Sequence, residues 1–240
     1  METVDPNKAF FIVIEGMDGV GKTEVSRALW KKLERKHRNR VYLTKEPYDG
    51  REFEIDGSYN LIQLIREGKL VVSGHTQAVI FATNRLVHCT EMIMPSLGHD
   101  ANRNRTSIVI CDRYIMSSLA YQSGENLSME EIYEMNQDAI QPNMTFVLYR
   151  TREQINEAID KRKKHMLTFG ILLEDRLESS FHYDDMIIRY RKALEFLIGK
   201  GEDIFTVDPS HNITVDNAVE YILSYLHKFG PEWLLPKETK

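Results

Sequence analysis

Cysteine is scarce in this 240-residue chain: Cys89 and Cys111 are the only two. One pair cannot build a disulfide scaffold, and no CxxC spacing suggests a metal site. Each lies in an apolar stretch, which reads as a buried free thiol in a reducing compartment. No apolar run approaches the roughly 20 residues that a membrane-spanning helix needs. The opening METVDPNKAF carries acidic residues and no apolar core, so it does not read as a secretory signal. A cytoplasmic setting is expected. Positive charge is also in the minority, 31 Lys and Arg against 36 Asp and Glu, a formal net charge of −5. That balance argues against non-specific nucleic-acid binding. Neither internal repeats nor low-complexity segments are visible. The length suits one α/β domain over residues 1–240, with a tail over 228–240.

Residues 10 to 23 read FFIVIEGMDGVGKT. An apolar run ends in Gly16-x-x-x-x-Gly21-Lys22-Thr23, the phosphate-binding loop signature, and a helix-forming segment follows at once. Gly16, Gly19 and Gly21 let the backbone wrap an anion with its N–H groups turned inward, with Asp18 and Val20 between them. The helix that starts near Lys22 turns its positive end to the same anion. Lys22, read as a solvated loop lysine, reaches the β- and γ-phosphates; the Thr23 hydroxyl ligates Mg2+, and Glu24 opens the helix. The expected ligand is a triphosphate with Mg2+.

Further along, apolar β-rich runs alternate with helical segments. Strands are expected at Phe10–Glu15, Val41–Thr44, Ser107–Cys111, Thr145–Tyr149 and Ile204–Val207. Helices are expected at about Lys22–Lys36, Tyr59–Glu67, Thr76–Leu97, Ile115–Gln122, Met129–Ala139, Arg152–Lys164, Glu178–Ile198 and Val215–His227. Strands separated by helices imply crossovers, hence a five-stranded parallel sheet covered on both faces in a three-layer α/β architecture. In such a sheet, ligands gather at the carboxyl ends of the strands. Those ends carry Lys45-Glu46-Pro47, Asp112-Arg113-Tyr114 and Asp208-Pro209-Ser210. Asp112 is a second candidate for the Mg2+ site, through water, and Arg113 is a fork suited to a second phosphate.

With these motifs in place, the chain resembles the thymidylate kinase family of P-loop nucleoside-monophosphate kinases. The resemblance rests on DRYIMSSLAYQ (Asp112–Gln122), FATNR (Phe81–Arg85), GMDGVGKT, TKEP (Thr44–Pro47), EDRLE (Glu174–Glu178) and TVDPS (Thr206–Ser210), in the family's order. It implies transfer of the ATP γ-phosphoryl group to dTMP. It also implies that Phe81 stacks on thymine, Arg85 donates to a thymine carbonyl, and Ser118 and Gln122 meet the base edge. Arg113 would hold the monophosphate, and Tyr121 would sit under the sugar and reject a ribose 2′-hydroxyl. Asp18 would accept from the 3′-hydroxyl or influence Mg2+, and Glu46 would border the acceptor. Family members are commonly homodimers, with the apolar face of the Thr76–Leu97 helix as a candidate interface.

Two departures stand out. TKEPYDG replaces the family's T-R-E-P-G-G, leaving Arg51 and Arg66 as rivals for the acceptor phosphate. This divergent acidic loop is compatible with a viral source, in which case the compartment is the host cytoplasm. Gly19 stands where some members carry a catalytic arginine. A basic lid over about 162–177 would then supply the cation, from Lys161–Lys164, Arg162 or Arg176. The other basic cluster, Arg35–Arg40, suits the C-terminus of the first helix, facing water. The rival readings are a kinase of another acceptor and a nucleotide-gated binding protein without transfer chemistry.

Overall fold

The computed structural model describes residues 1–50, 57–98, 106–168, 183–207 and 214–235, with the backbone alone over 161–168. Arg51, Arg176, Asp208-Pro209-Ser210 and most of the expected lid lie outside the described residues, as does the side chain of Arg162.

Five parallel strands form the sheet. In chain order they are β2 (Ala9–Glu15), β3 (Val41–Lys45), β4 (Ser107–Asp112), β6 (Met144–Leu148) and β7 (Ile204–Val207). Their spatial order is β3-β4-β2-β6-β7, so the strand that feeds the phosphate loop lies at the centre. Every residue of β2, β4 and β6 is buried. That is why these strands read as continuous apolar runs rather than alternating ones: helices cover both of their faces. Two short strands, β1 (Glu2–Thr3) and β5 (Ile140–Gln141), pair separately. At two residues each, they are too short to leave a sequence pattern.

The flanking helices are α1 (Lys22–His37), α2 (Gly57–Arg66), α3 (Gly74–His88), α4 (Ile115–Gln122), α5 (Met129–Met135), α6 (Arg152–Thr168), α7 (Tyr183–Gly199) and α8 (Val215–Phe229). In α1, Val25, Leu29 and Leu33 recur every fourth residue and are buried. They bring α1 onto the sheet beside α8. The Thr76–Leu97 expectation spans more than one element. α3 stops at His88, a π-helical turn occupies Cys89–Ile93, and a last turn covers Met94–Ser96. Pro95 lacks an N–H for a continuous i→i−4 ladder. The Met129–Ala139 helix ends early, at Met135. The Asn136 side chain turns back on the Ile132 carbonyl (2.7 Å) and competes with the backbone ladder.

Both cysteines are free and buried, as their surroundings suggest. The tail packs on the body, with Leu234 fully buried and the Trp233 indole donating to the Pro6 carbonyl at 2.9 Å. This corrects one reading of the Arg35–Arg40 cluster. Arg35 and Lys36 do close α1 as basic residues, but His37 is buried against the tail, its Nε2 2.8 Å from the Leu234 carbonyl oxygen.

Candidate active site

β2 ends in Glu15 and releases the chain into the loop. Gly16, Gly19 and Gly21 all have positive φ (137°, 83° and 89°), which few side chains tolerate. A Cβ on Gly16 would also lie 2.5 Å from the Leu148 carbonyl oxygen, so the loop closes against β6 only with glycine there. Val20 is buried beneath the loop, while Thr23 and Glu24 are exposed in the first turn of α1. Lys22 is not the solvated lysine expected from sequence. It is buried, with Nζ donating to the Met17 carbonyl at 2.7 Å and lying 3.9 Å from Asp18 Oδ1. Burial and the neighbouring Arg113 push its pKa down, against the pull of Asp18 and Asp112. The ammonium thus sits within the loop, held on a loop carbonyl.

Beside the loop, β4 ends in Asp112 and Arg113. The Thr23 hydroxyl donates to Asp112 Oδ2 at 2.6 Å. The other carboxylate oxygen, Oδ1, is buried without a hydrogen-bond partner among the described residues. A hydroxyl and a carboxylate oxygen with unused lone pairs, side by side at the loop, fit a Mg2+ ion that keeps its waters. Among the described residues, no three His, Cys, Asp or Glu side chains gather elsewhere as a metal cluster.

Arg113 has φ 73°, an uncommon and strained conformation for a non-glycine residue. Its N–H donates to the Ile14 carbonyl at 3.0 Å, and its guanidinium is ion-paired with Asp18. Asp18 also accepts from the Tyr121 hydroxyl at 2.6 Å. Burial would raise the Asp18 pKa, but Arg113 and Lys22 outweigh it and hold the carboxyl well below the usual carboxylate range. Asp18 therefore stays charged and is shared between the phosphate loop and the next cavity.

That cavity is a cleft between α2, α3 and α4, with about 550 Å³ of space that is partly open to solvent. Gln77, Phe81 and Arg85 line it from three successive turns of one face of α3. Ser118, Tyr121 and Gln122 line it from α4, and Gln122 Oε1 is buried with no hydrogen-bond partner among the described residues. Asp18, Glu46, Arg66 and Arg113 complete the wall. Arg66 thus faces the cavity, and its charge is felt at Asp18.

Arg85 is more deeply embedded than its spacing suggests. It is 2% exposed. Nε donates to Glu46 Oε2 at 2.8 Å and Nη1 to Asn136 Oδ1 at 2.6 Å. Nη2 donates to the Tyr114 carbonyl (3.2 Å) and to Ser118 Oγ (3.0 Å). Burial opposes its charge, but Glu46 outweighs that and raises its pKa. Of five guanidinium protons, one on Nη1 has no such partner and can meet a ligand. Glu46 is consumed by Arg85 and by His88, whose Nδ1 lies 3.2 Å away.

Several residues at the site escaped sequence reading. Glu15 accepts from the backbone N–H groups of Tyr114 (2.7 Å) and Ser117 (3.0 Å), tying the loop strand to α4. Burial raises its pKa, partly offset by Arg113, the Tyr114 N–H and the Ser117 hydroxyl. A carboxylate closing an otherwise apolar strand is the visible signal. Asn84 exchanges hydrogen bonds with the backbone of Tyr48 at 2.8 and 2.9 Å. An asparagine inside a helix was the hint. Arg150, just past β6, places Nη2 3.1 Å from where a Gly21 Cβ would stand. It also lines a smaller cavity of about 250 Å³ with Val20, Val25, Tyr149, Val207 and Thr214.

The thymidylate kinase family model matches residues 14–218, the stretch that holds every element of this site. The chain belongs to the thymidylate kinase family. A probable thymidylate kinase of Staphylothermus marinus is 32% identical over 196 residues, covering 81% of this chain and 84% of that protein. The thymidylate kinase of Staphylococcus haemolyticus is 31% identical over 227 residues, covering 90% and 98%. In fold, the crystal structure of the Ehrlichia chaffeensis thymidylate kinase superposes with a TM-score of 0.62 at 21% identity, over 92% of this chain and 99% of that one. Members of the family are ATP-dependent phosphotransferases. Among the described residues, no helix is long and apolar enough to cross a membrane.

Proposed function

We propose that this chain transfers the γ-phosphoryl group of ATP to dTMP, giving dTDP and ADP on the route to dTTP. The observation that carries this reading is the arrangement around Asp18: a phosphate loop on one side, and on the other a cavity with a flat aromatic (Phe81), a base-edge pair (Arg85, Gln122) and two arginines (Arg66, Arg113). A nucleotide switch has no use for the second half. Thymine between Phe81 and α4 would offer a carbonyl to the remaining Nη1 proton of Arg85 and its N3–H to Gln122 Oε1. The sugar would lie against Tyr121 and Asp18, and the 5′-phosphate against Arg66 and Arg113. Arg66 is the candidate for that phosphate among the described residues, and Arg51 lies outside them.

Transfer needs no covalent intermediate. An acceptor phosphate oxygen attacks the γ-phosphorus, the bond to the β-bridging oxygen breaks, and ADP leaves with that electron pair. Catalysis is then positioning plus cations over a loose, charge-spread transition state. Thr23 and Asp112 would hold Mg2+, which when bound would neutralise β- and γ-phosphate charge. The loop N–H groups and Lys22 hold the donor phosphates, and Arg150, whose guanidinium lies beside Gly21, borders the donor side. With Gly19 in the loop, the remaining cation would come from Arg162 or Arg176 in a lid over about 162–177.

The chain would work as one kinase unit in the cytoplasm, as a homodimer. Exposed apolar side chains on α2, the turn after it and α3 (Leu61, Leu64, Val71 and Val79) offer the face for pairing. Sedimentation would test this. For the reaction, ADP formation is assayed against dTMP, dUMP, CMP, GMP, AMP and thymidine. Strong preference for dTMP is expected. Equal rates would favour a broader acceptor range, for which the TKEPYDG loop is the structural reason. The absence of acceptor-dependent ADP would end the kinase reading.

A further inference from the structure

Tyr190 lies on α7, outside every motif assigned above, yet its side chain is fully buried at the seam between the two substrate sites. Its hydroxyl donates to the Gly16 carbonyl at 2.9 Å, the first residue of the phosphate loop. It lies 3.2 Å from Ser117 Oγ and 3.5 Å from Arg113 Nη1. Counting protons fixes the direction of these contacts. The single Tyr190 proton goes to Gly16. The single Ser117 proton goes to Glu15 Oε2, at 2.8 Å. Both hydroxyl oxygens are then acceptors, and Arg113 Nη1 donates to Ser117 at 3.2 Å and faces Tyr190. One phenol oxygen therefore registers the acceptor-side arginine against the backbone of the donor loop.

The geometry points to Tyr190 as a positioning residue that sets Arg113 relative to the phosphate loop, so that acceptor and donor phosphates are aligned for transfer. This rests on the kinase reading. Tyr190 is fully buried and does not line the acceptor cavity, so its loss affects alignment more than binding, and small misplacements are costly to transfer. Tyr190→Phe removes the oxygen while keeping the ring in its edge-on contact with Tyr121, whose centroid lies 6.1 Å away.

The test measures kcat and both KM values for the parent, Tyr190→Phe, Ser117→Ala and the double variant, well below each melting midpoint. Tyr190→Phe is expected to lower kcat about tenfold with each KM within about threefold, the scale of one or two lost hydrogen bonds. Because both hydroxyls act through Arg113, the double variant should lose less than the product of the single losses. A merely structural tyrosine would lower the melting midpoint and leave kcat alone. An unchanged kcat, a loss confined to one KM, or losses that multiply would each overturn the assignment. If Tyr190→Phe does not fold, Tyr190→His, which keeps a ring at the position, takes its place: kcat must fall with both KM values held. An inactive parent would instead sink the kinase reading itself.

Discussion

Arg85→Ala should unfold the protein as much as it blinds it to thymine. Arg85 and Glu46 form an ion pair at 2.7 Å, with side chains only 3% and 6% exposed. Truncation leaves the Glu46 carboxylate buried beside only the His88 ring, and removes the donors to Asn136, Tyr114 and Ser118. Breaking a buried pair from one side costs about 3–5 kcal/mol, out of a total stability of roughly 5–15 kcal/mol. For a chain of this size, each kcal/mol moves the melting midpoint by about 2–4 °C, so a fall of roughly 6–20 °C is expected. Differential scanning calorimetry of the parent, Arg85→Ala, Glu46→Gln and the double variant tests it. The double variant should recover part of the loss, because it no longer buries a lone charge. At a temperature where Arg85→Ala is folded, dTMP affinity should drop about ten- to a hundredfold with ATP affinity nearly unchanged. A melting midpoint within about 2 °C of the parent would refute the buried-network argument. It would leave Arg85 as a ligand contact alone.

Three other outcomes follow from the site and its surroundings. Lys22→Met should abolish transfer yet leave the melting midpoint at or above the parent's, because burial and Arg113 already push the lysine's pKa down and its charge adds nothing to folding; near-normal turnover would remove Lys22 from the phosphate clamp. Tyr121→Ala should raise kcat/KM for the ribonucleotide analogue relative to dTMP, and an unchanged ratio would make Tyr121 an ordinary packed aromatic. Glu202 is buried with Oε1 lacking a hydrogen-bond partner among the described residues, and burial, with Glu15 adding to it, raises its pKa to about 7. A carboxyl raised in the folded state favours folding below its unfolded pKa and loses that contribution as pH climbs from about 4.5 to about 7. Glu202→Gln should therefore gain stability over the parent at pH 8, by up to roughly 3 kcal/mol, and not at pH 4. Parallel melting curves at all pH values would refute it.

The family, the fold class and the donor loop were legible in the chain itself because each is encoded locally. Gly16, Gly19 and Gly21 occupy positive-φ positions that few other residues can take, and β2, β4 and β6 read as apolar runs because both faces of a parallel sheet are covered. Phe81, Arg85, Ser118 and Gln122 were singled out by the family resemblance, and a spacing of four residues puts each pair on one helix face. Tertiary packing decided what spacing cannot carry. That Arg66 lines the acceptor cavity depended on where α2 lies. That Arg85 is an anchored structural cation and that Glu46 is its counter-ion depend on contacts to Glu46 and Asn136, 39 and 51 residues away in sequence. Tyr190 is the extreme case, meeting Gly16 from 174 residues away. No local period records such a meeting. It exists only because α7 packs on α4 and the sheet brings the loop, Arg113 and that phenol to one point.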